Sequence, residues 1–176
     1  MEVALAQLIG LDAIKNQIRG LRRTIEVDRL RGLVPGQSDR PRHIILTGNP
    51  GCGKTFASRL LLPLLYKIGA VPTDSIVEVG RNELVDGRSE ARTMEKTTRV
   101  LERARGGVLF VDEIYNLLPS NGRSGSQDHG PAALKVLSEN LTTGDPLIVL
   151  AGYSIDLQRI VRSDSGFKNN FLLMRE

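Results

Sequence analysis

An α/β fold, with a buried parallel sheet and helices on both faces, is what this chain predicts, and three observations carry it. Short apolar runs alternate with helical patterns from His43 onward, which is the signature of successive βαβ units. The first of those runs breaks into a glycine-rich turn, "GNPGCGKT", that opens a helix. A later run, "GVLFVDE", ends in two adjacent acids, at the carboxyl end of a strand, where open parallel sheets hold their ligands.

The elements follow in order. Between Leu11 and Leu33, the residues Ile14, Ile18, Leu21, Ile25 and Leu30 recur at three to five positions, close to one helical stripe, with Asp12 placed to cap it. "LVPGQSDRP" then punctuates the chain with Pro35, Gly36 and Pro41, and the main body starts at His43. The division expected is residues 1–42 as a helical segment with linker, and residues 43–176 as the α/β unit. Within that unit the reading is strand over 43–47 ("HIILT"), helix from Lys54, strand over 75–79 ("SIVEV") and helix around Glu90 to Arg105. It continues with strand over 107–112 ("GVLFVD"), helix around Pro131 to Leu141, strand over 146–152 ("PLIVLAG") and helix around Ile155 to Val161. "PSNGRSGSQDHG", residues 119–130, reads as a polar, mobile insertion. "NNFLLMRE" opens a fifth strand near the end.

Composition narrows the class. A chain of 176 residues suits one α/β domain, which would bury about 70% of the surface its unfolded form exposes. Hydrophobic residues at 40% and charged residues at 25% exclude wholesale disorder. No window approaches the ~18 apolar residues of a membrane span, and the N-terminus lacks the basic-then-apolar pattern of a leader. One cysteine leaves no disulfide framework and no multi-cysteine zinc site, so a reducing, cytoplasmic setting is expected. A net charge of +4 with only 4% aromatics offers no base-stacking platform, which argues against nucleic acid as a partner. His43 and His129 have no ligand constellation around them and read as structural or solvated.

The turn from Gly48 to Thr55 satisfies GxxxxGK[ST] in full, between a strand and a helix. Its glycines allow consecutive N–H groups to surround a phosphate, and the helix N-terminus behind them adds a favourable partial charge. Lys54 reaches the β and γ phosphates, and the Thr55 hydroxyl ligates Mg²⁺. Cys52 occupies a free position of the pattern; the helix N-terminus would lower its thiol pKa, so a reactive thiol and an inert small residue both stay open. In "GVLFVDEIY", Asp112 would orient the metal shell and Glu113 would polarise the attacking water. The competing reading is that the pair caps the short helix "EIYNLL". Tyr153 follows the fourth strand, where its hydroxyl would meet a water or phosphate, or be satisfied elsewhere as a packed tyrosine.

"LIGLDAIKNQI", "LTGNPGCGKT", "GGVLFVDEIYNLLP", "LIVLAGY" and "SGFKNNF", in this order, resemble the AAA+ ATPases of the CbbX/CfxQ type, which include stage V sporulation protein K relatives. The resemblance implies a three-layer P-loop NTPase sandwich with strand order 5-1-4-3-2, ATP and Mg²⁺ as cofactors, and assembly into a ring with itself or a partner AAA+ subunit. It also implies a protein substrate and adenine contacts at Ile9 and Gly10. The expected nucleotide contacts are Ile9, Gly10, Asn49, Pro50, Gly51, Cys52, Gly53, Lys54, Thr55, Phe56 and Tyr153. Lys54 and Glu113 are the expected catalytic groups, and Thr55 and Asp112 the metal ligands.

Three departures from that pattern matter. The family's GFxSRF segment carries an arginine finger, worth about 10³ to 10⁵ in rate; this chain reads "GFKNNF", with Asn170 at that place. Lys168 lacks the planar fork of an arginine, and Arg159 and Arg162 lie upstream on a helical stretch. In residues 82–97 the family's aromatic-aliphatic gripping pair is replaced by Arg88 and Ser89. The chain ends at Glu176, so the fifth strand is expected to be incomplete, the helical lid missing and the chain truncated, leaving the first strand as an edge prone to association.

The function expected is therefore Mg²⁺-dependent ATP hydrolysis within a protein-remodelling assembly, slow in the isolated chain. A nucleotide-dependent scaffold with little hydrolysis is the alternative. A small-molecule kinase fits least, because Glu113 placed to activate water argues against excluding it.

Overall fold

The computed structural model describes residues 12–33, 43–48, 63–119, 128–163, 167 and 170–175. Five strands form one sheet: β1 (His43–Thr47), β2 (Ile76–Val79), β3 (Val108–Val111), β4 (Leu147–Gly152) and β5 (Phe171–Arg175). Every strand pair is parallel, and the order is β2-β3-β4-β1-β5, which read from the other edge is the expected 5-1-4-3-2. All strands thus end on the same edge of the sheet.

Four longer helices cover it: α1 (Asp12–Leu30), α2 (Glu90–Arg103), α3 (Gly130–Asn140) and α4 (Ser154–Ser163). Residues 63–67 add a helical stretch whose beginning lies outside the described residues, and Arg81–Leu84 forms a single turn. Strand side chains alternate between two cores, as the pleat requires. Ile44, Leu46, Val108, Phe110, Leu147 and Val149 face α1 and the 63–67 helix, through Ile18, Leu21, Ile25, Leu64 and Leu65. Ile45, Leu109, Val111, Ile148 and Leu150 face α2, α3 and α4, through Val100, Leu101, Ala133, Leu137, Leu157 and Ile160. The result is three layers.

Two expectations need correction. The fifth strand is not incomplete: its five residues pair one to one with β1, from His43 with Phe171 to Thr47 with Arg175. Because Phe171–Arg175 matches the whole length of β1, that strand lies inside the sheet and β5 takes the edge. Leu30 does not belong to the buried stripe of α1 either, since it is 89% exposed while Asp28 is buried. Five residues past Ile25 is a rotation of roughly 140° away from the stripe at 3.6 residues per turn, whereas Asp28 at plus three stays on it.

α2 is anchored by hydroxyls as well as by apolar packing. Thr93 and Thr97 are fully buried, and each donates to a carbonyl of the preceding segment, Asp86 at 2.9 Å and Leu84 at 3.0 Å. Ser89 caps the helix by accepting from the Arg92 amide at 3.2 Å. Among the described residues, no helix is long and apolar enough to cross a membrane.

Candidate functional site

Parallel pairing brings the carboxyl ends of all five strands together, and the chain leaves that edge at Gly48, Gly80, Asp112 and Tyr153. Register fixes their order. Thr47 pairs with Gly152, and Val111 pairs with Leu150, so the end of β4 stands between the end of β1 and the acids after β3. Gly48, the first residue of the glycine-rich motif, follows β1 directly at this edge. Asn49 to Phe56, with Lys54 and Thr55 among them, and Ile9 and Gly10 lie outside the described residues.

Asp112 continues the β2–β3 ladder, its amide donating to the Val79 carbonyl at 2.9 Å. One of its carboxylate oxygens accepts from the Glu113 amide at 2.9 Å. Glu113 then turns the chain through left-handed backbone, φ 50° and ψ 43°, and is the one non-glycine residue with positive φ among those described. A side chain in that region costs on the order of 1 kcal/mol, and such outliers gather at sites where the strain has a use. The turn swings the Glu113 carboxylate out to solvent, where Oε2 accepts from the Asn116 side-chain amide at 3.1 Å.

The segment that follows, Ile114–Leu117, is a 3₁₀ turn held down by fully buried Ile114 and Leu117. Glu113 stands at its cap position yet makes no side-chain capping bond, so capping does not account for this acid. From outside, Arg81 braces the turn. Its Nη1 donates to the Asn116 carbonyl at 2.5 Å, and its Nη2 pairs with Asp128 at 2.7 Å. Asp128 also accepts from the Gly130 amide at 2.9 Å, which ties in the start of α3. Gly130 has to be glycine here: a Cβ would meet the Leu117 carbonyl oxygen at 2.5 Å and Arg81 Nη1 at 2.7 Å.

Tyr153 is half-buried, and its carbonyl accepts from the Leu157 amide at 3.0 Å, launching α4. Its ring stacks on Tyr115, centroids 4.7 Å apart and planes 14° from parallel. Desolvation raises the Tyr115 phenol above its ordinary pKa, and hydrogen bonding to Tyr153 and to the Glu113 carboxylate raises it further.

The structure thus brings together Gly48, Asp112, Glu113 and Tyr153 from the anticipated set. Sequence reasoning missed Arg81, Tyr115, Asn116 and Asp128. Only Asn116 had a local signal, lying three residues after Glu113 and so on the same side of a helical turn. Asn170 sits elsewhere: it directly precedes β5, at the opposite edge from the acids. Arg159 is exposed on α4 and 3.4 Å from Asp156. The segment expected to depart from a gripping loop folds back on α2, with the Asp86 amide donating to Thr93 at 2.9 Å and the Arg88 amide to Asp86 at 2.8 Å. The 119–130 insertion lies largely outside the described residues.

The donor set suits Mg²⁺. Two adjacent carboxylates at a strand end offer hard oxygen ligands, and that ion takes one or two carboxylates beside waters and phosphate oxygens. His43 cannot contribute, since it is buried at the other end of the sheet with Nε2 on the Leu141 carbonyl at 2.7 Å and Nδ1 accepting from the Ile148 amide at 2.9 Å.

Comparison with known proteins gives the family. Residues 44–167 match the model of the family described as ATPase family associated with various cellular activities (AAA). The chloroplastic ribulose bisphosphate carboxylase/oxygenase activase of Cyanidioschyzon merolae is 37% identical over 91% of this chain and 54% of its own length. Protein CbbX of Cereibacter sphaeroides is 37% identical over 93% of this chain and 52% of its own. A CfxQ homolog from Cyanidium caldarium is 36% identical over 93% of this chain and 57% of its own. The chain spans about half the length of these curated relatives.

Proposed function

The chain belongs to the AAA family of ATPases, and from that premise we propose that it is the nucleotide-binding module of an ATP-hydrolysing, Mg²⁺-dependent assembly that remodels a protein substrate in the cytoplasm. Residues 43–176 form the nucleotide-binding subdomain in this reading, and residues 1–42 the helical segment leading into it. The observation that carries it is the pair Asp112 and Glu113 at the carboxyl edge, with Glu113 on strained backbone that aims its carboxylate into solvent.

The residues divide the work. In the sequence motif from Gly48 to Thr55, the backbone amides would surround the phosphates, and Lys54 would neutralise their charge. Thr55 and Asp112 would hold Mg²⁺, which would supply charge neutralisation at the nucleotide's phosphates. Glu113 would accept a hydrogen bond from the attacking water and orient its lone pair, and Tyr153, directly after β4, would be a further nucleotide contact. Ring assembly with copies of itself or a partner AAA+ subunit belongs to this reading, and because every copy carries Asn170 where the family has an arginine, that arginine would have to come from a partner subunit.

Asn170 also favours a second reading, a nucleotide-dependent scaffold in which binding sets assembly and hydrolysis is slight. The rate of phosphate release against protein concentration, for wild type and Glu113→Gln, with nucleotide affinity measured alongside, separates them. Turnover that rises with concentration and is lost in the variant supports the motor. Tight binding with no Glu113-dependent turnover at any concentration supports the scaffold, and absence of Mg-nucleotide binding removes both.

A further inference from the structure

Glu113 is held by a residue of its own turn, and that residue is held in turn from another strand end. The Asn116 backbone amide donates to the Glu113 carbonyl at 2.9 Å, and the Asn116 side-chain amide reaches back to the Glu113 carboxylate at 3.1 Å. Only the NH₂ of that side chain can face the acid, since an ionised carboxylate has no proton to give. Asn116 stands near the end of a four-residue turn, where carbonyls run out of partners within the turn itself. Its carbonyl accepts instead from Arg81 Nη1 at 2.5 Å, at the start of the segment that leaves β2.

We propose that Asn116 is a positioning residue for Glu113, and that Arg81, anchored on Asp128, sets where Asn116 stands. This rests on the reading of Glu113 as the group that orients the attacking water. An exposed carboxylate rotates about its side-chain torsions, and rotation scatters its lone pairs. One charge-assisted donor at Oε2 restricts that rotation and leaves acceptor sites over for a water. Asn116 is itself exposed, so core packing does not call for it. The guanidinium behind it is built in. Its Nη2 pairs with Asp128 at 2.7 Å, and Gly130 leaves room that a Cβ would fill at 2.7 Å from Nη1. Lys96 donates to the Asn82 and Val85 carbonyls at 2.6 and 3.1 Å, which ties the single turn carrying Arg81 to α2. Asp128 lies near the end of the polar 119–130 segment, so that end and the β2 end both bear on the acid through one side chain.

In ligand-free, isotope-labelled protein the side-chain NH₂ resonances of Asn116, assigned by their loss in Asn116→Ala, read the bond directly. The bonded proton is expected to move upfield in Glu113→Ala and, by a smaller shift, in Arg81→Ala. No movement in Glu113→Ala overturns the proposal, and none in Arg81→Ala overturns the part given to Arg81. In the kinetic arm, Asn116→Ala is expected to lower kcat about tenfold with the KM for Mg-ATP unchanged. Asn116→Asp should lower it further, because a second carboxylate pushes Glu113 away, whereas a merely structural role on an exposed turn would tolerate both changes. Arg81→Ala should add nothing further in an Asn116→Ala background, because residues acting as a unit are not additive. An unchanged kcat in Asn116→Ala, or a loss of nucleotide affinity in step with kcat, overturns the proposal as well. If the wild type shows no turnover, the hydrolysis reading fails by that result, and the ligand-free resonances still decide whether Asn116 holds Glu113.

Discussion

The two edges of the sheet each carry a polar side chain that the fold treats in opposite ways. At the edge where the strands begin, His43 is 1% exposed and both ring nitrogens are committed to backbone groups near β4, far along the chain. At the edge where they end, Glu113 is exposed on left-handed backbone, with the Asn116 amide at its carboxylate. Both are bonded, but one bonding pattern welds strands and the other holds a carboxylate in the open. Burial with saturated hydrogen bonds contributes stability, whereas exposure with local strain is what a site needs.

Breaking the contrast at the functional end gives the largest effect. Glu113→Gln keeps the size and the hydrogen bond to Asn116 but removes the carboxylate proposed to polarise the water, so turnover should fall by about 100-fold or more with little change in thermal stability. Phosphate release and a melting curve on the same samples check both halves. Replacing the same residue by glycine sharpens the point, because relief of the positive φ should raise stability by about 1 kcal/mol while turnover still disappears. A glycine variant that melts lower than wild type would show that the turn is not strained.

At the other edge, His43→Ala leaves the Leu141 carbonyl and the Ile148 amide buried without a side-chain partner, and also removes the ring that packs 5.5 Å from Phe171. A loss of about 2 to 4 kcal/mol is expected in urea unfolding, with the affinity for nucleotide unchanged in the folded fraction. Arg81→Ala should cost less, about 1 kcal/mol, since its ion pair with Asp128 is partly open to water. Its bond to the Asn116 carbonyl gives it a second readout: turnover should drop a few-fold without a change in nucleotide affinity.

The smallest effect is in pH. Desolvation lowers the His43 pKa below its ordinary 6.5, against a smaller raising contribution from the Leu141 carbonyl. The unfolded chain then binds the proton more readily than the folded one. The contribution of neutral His43 is present in full above about pH 6.5 and declines as pH falls below it toward the folded pKa. Melting temperatures of wild type should decline across that acid window more steeply than those of His43→Ala.

Much of the fold was legible because periodicity is local. "HIILT" is β1 to the residue, and the strands anticipated at 75–79, 107–112 and 146–152 form as β2, β3 and β4 within one or two positions. Asp112 and Glu113 were legible for the same reason, since two acids after a continuous apolar strand can only leave by its carboxyl end. The α1 stripe failed at Leu30, where a spacing of five was allowed that helical rotation does not permit. The fifth strand failed because its completeness depends on the length of its partner β1, which the segment itself does not encode.

What the chain determined by itself is the alternation that makes the layers, and the places of the glycine-rich motif after β1 and of the acids after β3. These depend on neighbours within a few residues, through pleat, helical repeat and backbone freedom. What only the tertiary structure decided is which distant groups meet. Arg81 reaches Asn116 and Asp128, Tyr115 stacks on Tyr153, and His43 joins Leu141 and Ile148. Those contacts exist because the strand order sets β4 between β1 and β3 and brings every strand to end on one edge. The backbone conformation that turns Glu113 outward belongs with them, as the packed anchors Ile114 and Leu117 on one side and the β2–β3 ladder on the other leave the acid between them no other path.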